Sequence, residues 1–198
     1  MSEPKTLLEL AGADLKPATV SNATLVLIDY QNEYVSGPLG LPGAAPAIER
    51  AARLLRLARE AGAPVIHVAH KGRPGGLFDR EVERGQIIAA LAPRTDETVI
   101  EKGLPNAFAG TDLHGVLGKA ARKDIIIAGF MTHMCVSSTA RAALDLGYRV
   151  TIDAGACATR DLPDGAGGRV EAGVVHKVAL VELSDRFAII ARDAEAFA

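Results

Sequence analysis

The chain has 198 residues, 48% hydrophobic and 23% charged, with a formal net charge of −2 at pH 7. One α/β domain of that size buries a full core, and the composition excludes a disordered chain. The absence of a basic stripe argues against a nucleic-acid partner, and no apolar run approaches the roughly 18 residues of a membrane helix. The two cysteines, Cys135 and Cys157, are too few for a disulfide scaffold or a paired-thiolate zinc ribbon. The amino terminus lacks the basic start and apolar run of a signal peptide, so a cytoplasmic location is expected. Aromatics are only 4% and tryptophan is absent, which implies an aliphatic core of the kind a buried parallel sheet uses.

In chain order, TLVLID (24–29) is a continuous apolar run ending in an acid and reads as the first strand. A Gly/Pro-rich stretch leads to a helix of about 15 residues with Ile48, Ala52, Leu55 and Ala58 on one face, stopped by Gly62. PVIHVA (64–69) is the second strand, 71–85 a long charged surface loop, and ETVIEK (97–102) the third strand. Thr111 and Asp112 are caps for a helix carrying Leu113, Val116, Leu117 and Ala120 inward. DIIIAGF (124–130) is the fourth strand, followed by a helix from about Met134 to Leu146. YRVTID (148–153) is the fifth strand and 160–169 a loop. The next helix places Val170, Val174, Val178 and Val181 on its inner side, and RFAII (186–190) is the sixth strand. Alternating strands and helices predict one domain over 1–198: a three-layer α/β/α, six-stranded, mostly parallel, doubly wound sheet of order 3-2-1-4-5-6.

Ligands of such sheets bind beyond the carboxyl ends of the strands, where the winding reverses. Asp29 ends strand one, Lys102 ends strand three, and Cys135 opens the helix after strand four. Each has an ordinary alternative: Cys135 as a small core residue, Asp29 as a cap, Lys102 as a solvated strand end. Their coincidence in one crevice favours nucleophilic catalysis. A helix start and a nearby lysine lower a thiol pKa from about 8.5 towards neutrality, and a carboxylate relays the proton. The Met131 and Cys135 N–H groups are candidates for an oxyanion hole, at about 3 kcal/mol per donor.

These residues lie in LVLIDYQNEY, EKGLPNAFAGTDL and AGFMTHMCVSSTARAALDLGYRVTIDAGACATRDLP. Together the three segments resemble the isochorismatase-like cysteine hydrolases from about residue 23 to 190. The resemblance implies an Asp29–Lys102–Cys135 triad that hydrolyses amides, ureido groups or related C–N bonds of small molecules. It also implies a non-proline cis peptide between Phe130 and Met131, no cofactor, and a homodimer or homotetramer. Retention of Cys135 points to the amidase branch rather than to enol-ether hydrolysis; a binding protein that kept the fold is the non-enzymatic alternative.

A metal-binding branch of the family carries D-x-H after strand two. Here HVAHKGRPGG stands in that place, without the acid. His67 and His70 are three apart on a strand and point to opposite faces, so no metal site is expected. His67 reads as a satisfied core histidine and His70 as a pocket residue. Gln31, Tyr34, Phe108, Thr132 and His133 are the candidate substrate-binding residues, and Gln31 is also a candidate for orienting Asp29 or Lys102. Asn106 is a candidate for orienting the strand-one loop. Cys157 reads as a packed small residue, unpaired with Cys135.

Overall fold

The computed structural model describes residues 3–198. Its main sheet comprises β1 (Ala23–Ile28), β2 (Val65–His70), β3 (Thr98–Lys102), β4 (Asp124–Phe130), β5 (Arg149–Ala158) and β8 (Ile189–Ala191). Their order is β3-β2-β1-β4-β5-β8, with every neighbouring pair parallel. The doubly wound order expected from sequence is therefore present. The sixth strand of the sheet is numbered β8 because a two-residue-per-strand hairpin, β6 (Leu162–Pro163) and β7 (Arg169–Val170), lies within the expected 160–169 loop.

Helix α1 (Leu7–Leu10) opens the chain with a Thr6–Glu9 capping box. Helix α2 (Ala44–Glu60) covers one face of the sheet, and α3 (Leu113–Ala120), α4 (Ser137–Asp145) and α5 (Ala172–Arg186) cover the other. The alternation of side chains along buried strands assigns the two cores. Leu25, Leu27, Ile126, Ala128 and Phe130 point to α2, whereas Val26, Ile28, Ile125 and Ile127 point to the opposite layer. Helix α2 is built from good helix formers and ends in a Schellman motif: Ala63 N–H reaches Ala58 O and Gly62 N–H reaches Arg59 O, with Gly62 at φ 63°. Its fully buried stripe is Ala44, Ala47, Ala51, Leu54, Leu55 and Ala58, with Ile48 and Ala52 only half-buried. The helix turns its alanines to the sheet because small side chains permit the closest approach.

Three expectations need correction. Helix α5 does carry a valine stripe, but Val174, Val178 and Val181 are exposed, and Ala179, Leu180 and Leu183 meet the sheet; Val170 belongs to β7. The helix is apolar on two sides, and periodicity cannot say which side faces the sheet. The 71–85 segment is not a free surface loop. Phe78 and Asp79 are buried, Phe78 N–H donates to Glu33 Oε2 at 3.0 Å, and Asp79 accepts the N–H groups of Gly75 and Glu81. Finally, the helix expected from Met134 begins as a π-turn over Thr132–Val136, with Val136 N–H donating to Met131 O at 3.3 Å. Local π geometry of this kind recurs at functional sites.

Strand β5 outruns its expected end at Asp153. The β4–β5 register pairs Ile127 with Ile152, then Gly129 with Cys157 and Phe130 with Ala158. The intervening residues bulge out, and the chain rejoins the sheet beside the end of β4. His67 is the satisfied core histidine expected: its Nε2 lies 2.9 Å from Glu97 Oε2, and Arg59 holds the same carboxylate at 2.7 and 2.8 Å. Among the described residues no helix is long and apolar enough to cross a membrane.

Candidate functional site

The site lies where the winding reverses, between the carboxyl ends of β1 and β4. Immediately after β1, Asp29 takes a left-handed backbone conformation (φ 54°). Its N–H is tied to Val68 O at 2.8 Å and its carbonyl accepts Gln31 N–H at 2.8 Å. A non-glycine residue at positive φ is uncommon and marks a position held by its surroundings. Lys102 ends β3, in register with His70 of β2. Its four-carbon stem crosses beneath the end of β2 to place Nζ 2.6 Å from Asp29 Oδ2, 3.3 Å from Cys135 Sγ and 3.3 Å from His70 Nδ1. Both charged side chains are fully buried. An isolated ion there would be costly, so the pair requires each member.

Cys135 sits in the π-turn after β4 and is 4% exposed. The peptide bond joining Phe130 to Met131 is cis. Met131 N–H donates to no group among the described residues, while its carbonyl accepts from Met134 and Val136. Gly129, just before, approaches β1 closely: a Cβ there would lie 2.3 Å from Ile28 O. Only glycine lets β4 come this near to the strand that carries Asp29.

Electrostatics here depart from the sequence expectation of a depressed thiol pKa. Burial, reinforced by the Asp29 charge, pushes the Cys135 thiol up to about 12, with Lys102 opposing. A π-turn in the interior replaces the solvated helix start on which that expectation depended. Burial also raises Asp29, and Lys102 draws it back down. The thiol and carboxylate bear on one another: the S–H favours the Asp29 carboxylate, and the carboxylate disfavours the thiolate. Asp29 Oδ1 is buried and has no hydrogen-bond partner of normal geometry. His70 is lowered by burial and by the Lys102 charge, so its imidazole is neutral near pH 7.

The remaining candidates divide. Tyr34 is buried beside the triad, its ring 5.2 Å from Phe78 and 5.6 Å from Phe130. Burial and the neighbouring Asp29 raise its hydroxyl pKa. Thr132 is buried with Oγ1 2.8 Å from His176 Nδ1, and His133 Nδ1 lies 2.5 Å from Thr159 Oγ1; both flank Cys135 in the turn. Gln31 is fully buried, and its amide holds backbone: it donates to His70 O at 2.9 Å and Gly85 O at 2.7 Å and accepts His70 N–H at 2.8 Å. It thus ties β1 to β2 and to the 71–85 segment rather than touching Asp29 or Lys102. Phe108 stacks on Tyr148, before the amino end of β5 and away from the crevice. Asn106 caps its own turn by accepting Phe108 N–H at 3.0 Å. Cys157 is free and buried, as is Cys135.

Sequence reasoning passed over Thr159 and Arg160, because the fifth strand was expected to end before them. The small-residue run GACAT, which can rejoin a sheet, was the available signal. Among the described residues no group of three or more His, Cys, Asp and Glu is arranged to hold a metal.

Known proteins resemble this chain along nearly its whole length. A solved structure of an isochorismatase from Pseudomonas putida superposes with a TM-score of 0.94 at 44% identity, covering 99% of this chain and 100% of that one. A secreted isochorismatase effector of Verticillium dahliae is 35% identical over 90% of this chain and 92% of its own. The maleamate amidohydrolase of Pseudomonas putida is 32% identical over 65% of this chain and 68% of its own. The model of the isochorismatase domain matches residues 23–195, a span that contains every residue of the crevice, and the chain belongs to the isochorismatase family of hydrolases.

Proposed function

We propose that this protein hydrolyses a small-molecule amide, ureide or related C–N bond through a thioester on Cys135. The observation that carries this reading is the placement of Lys102 Nζ 2.6 Å from Asp29 and 3.3 Å from Cys135 in a buried crevice. The relative named as a maleamate amidohydrolase supports the bond type. Asp29 takes the thiol proton as Sγ attacks the carbonyl carbon. The oxygen gains the negative charge and is held by the Met131 and Cys135 N–H groups. The C–N bond then breaks, and Asp29 returns the proton to the departing ammonia or amine. Water, deprotonated by Asp29, attacks the thioester, releasing the acid and restoring the thiol. Lys102 keeps Asp29 ionised between steps and offsets the negative charge as it passes to sulfur. With the resting thiol protonated, attack depends on Asp29 acting as base in the same event.

The high thiol pKa also suits a second reading, in which Asp29 acts without the thiol on an enol ether. A screen of small amides, carbamoyl compounds and hydrazides for ammonia release separates the two. Cys135→Ala is expected to abolish turnover, and mass spectrometry of the wild type is expected to show an acyl adduct on Cys135. Full activity in the alanine variant would sink the thioester mechanism.

A further inference from the structure

The Lys102 ammonium carries three N–H donors, and three acceptors surround it. Asp29 Oδ2 lies 2.6 Å from Nζ, and Cys135 Sγ and His70 Nδ1 each lie 3.3 Å away. The first two belong to the chemistry proposed above; His70 has no part in it. The Lys102 side chain is fully buried, so an N–H left without an acceptor there would be costly. With two acceptors one proton is left over and the ammonium is free to turn. With three, each proton has one place to go.

His70 is held to this contact from several sides. It stands opposite Lys102 in the β2–β3 register, and paired residues of neighbouring strands point to the same face of a sheet. Fully buried Gln31 clamps its backbone, accepting the His70 N–H at 2.8 Å and donating to its carbonyl at 2.9 Å. The Phe78 ring centre lies 5.0 Å from that of the imidazole. Phe78 is itself fixed at φ 58°, with its N–H on Glu33 Oε2. A bulky residue at positive φ is an outlier that its surroundings must enforce. The nearby cations Lys71 and Arg80 are engaged by Glu101 at 2.8 and 3.3 Å, which leaves Lys102 as the cation that faces the ring.

We propose that His70 is a positioning residue: its Nδ1 accepts the third N–H of Lys102 and so holds the ammonium between Asp29 and Cys135. The assignment rests on the hydrolytic reading for what the seated lysine accomplishes, but not for the contact itself. It demands one tautomer. A lone pair on Nδ1 places the proton of the neutral ring on Nε2. A protonated His70 has no lone pair to offer and would set a second positive charge against Lys102.

The test separates the ring nitrogens. Asparagine carries its side-chain oxygen near the place of Nδ1, and glutamine near that of Nε2. Nitrogen NMR of isotopically labelled wild-type protein at neutral pH is expected to show His70 with the proton on Nε2 and none on Nδ1, its signals assigned by their loss in His70→Asn. This measurement is made on the unaltered ring and does not depend on any variant folding. Iodoacetamide labelling of Cys135, followed by peptide mass spectrometry, needs no substrate. Lys102 favours the thiolate, so His70→Gln and His70→Leu are expected to slow labelling at least about threefold, and His70→Asn to recover most of the rate. On an amide that the screen shows to be cleaved, kcat is expected to fall at least about tenfold in the glutamine and leucine variants with little change in KM, and to recover mostly in the asparagine variant. A proton on Nδ1, equal behaviour of the three variants, or recovery by glutamine in place of asparagine overturns the assignment. The two readings fail separately. The expected tautomer and labelling pattern without turnover leave His70 in its role and remove the hydrolase, whereas turnover with labelling and kcat alike in all variants removes the role and leaves the hydrolase.

Discussion

Asp29, at the residue scale, has two opposed effects on Cys135. As a fixed anion it disfavours the thiolate; as a base it accepts the proton when a carbonyl is present. These effects separate experimentally. With the thiol pushed up to about 12, the thiolate fraction near pH 8 lies far below that of a free thiol. Iodoacetamide should therefore label Cys135 slowly in the free enzyme, with a rate that keeps rising through pH 9 and 10 where a free thiol has levelled off. Asp29→Asn removes the anion that disfavours the thiolate, so the thiol pKa falls and labelling accelerates. The same variant is expected to lose about 10²–10⁴-fold in hydrolysis, the usual range for a lost acid–base group. Slower labelling in Asp29→Asn would show that the carboxylate assists even alkylation and would refute the electrostatic account. Breaking the buried pair with Lys102 should also cost about 3–5 kcal/mol of stability, measurable by urea denaturation.

At the scale of elements, the crevice depends on how closely β1 and β4 approach. Gly129 stands between Ile28 of β1 and the turn at Met131, and an added Cβ meets backbone, which cannot move aside as a side chain can. Gly129→Ala is expected to destabilise the fold by roughly 2–4 kcal/mol. Activity should fall further than stability predicts, because the displaced strand ends carry Asp29 and Cys135. Urea denaturation paired with ammonia release checks both parts, and a variant with normal stability and rate would show that the approach is not needed. Strand β5 makes the same point. Its bulge carries Thr159 and Arg160 up to the catalytic turn, whereas a regular strand ending at Asp153 would have left them in a surface loop.

For the whole molecule, α5 presents Val174, Val178 and Val181 to the outside. Val174 and Val178, together with Val170 of the hairpin and His133, line one depression of about 450 Å³. An apolar patch rimmed by polar residues is a common mark of an interface, and the family resemblance implies a homodimer or homotetramer. We propose that a second copy covers this face. Sedimentation velocity is expected to show an oligomer for the wild type and a smaller species for Val178→Asp. The substitution is at an exposed position and should leave the fold intact by circular dichroism; a monomeric wild type would exclude the proposal.

What the sequence determined by itself was the architecture and the residues most suited to chemistry. Continuous apolar runs such as DIIIAGF can only be strands buried on both faces, and right-handed crossovers then leave few ways to order them. Asp29, Lys102 and Cys135 stood out because polar residues end those runs, and His67 read correctly as a core histidine. The tertiary structure decided what depends on neighbours distant in sequence. It decided which apolar side of α5 meets the sheet, since periodicity marks a face without saying what covers it. It decided that Gln31 holds the His70 and Gly85 backbone and that Phe108 packs against Tyr148, since hydrogen-bond and ring partners lie tens of residues away. It also decided the state of the thiol. Motif logic places a cysteine at a helix start beside a lysine, but burial and the Asp29 charge act through space, and they outweigh both.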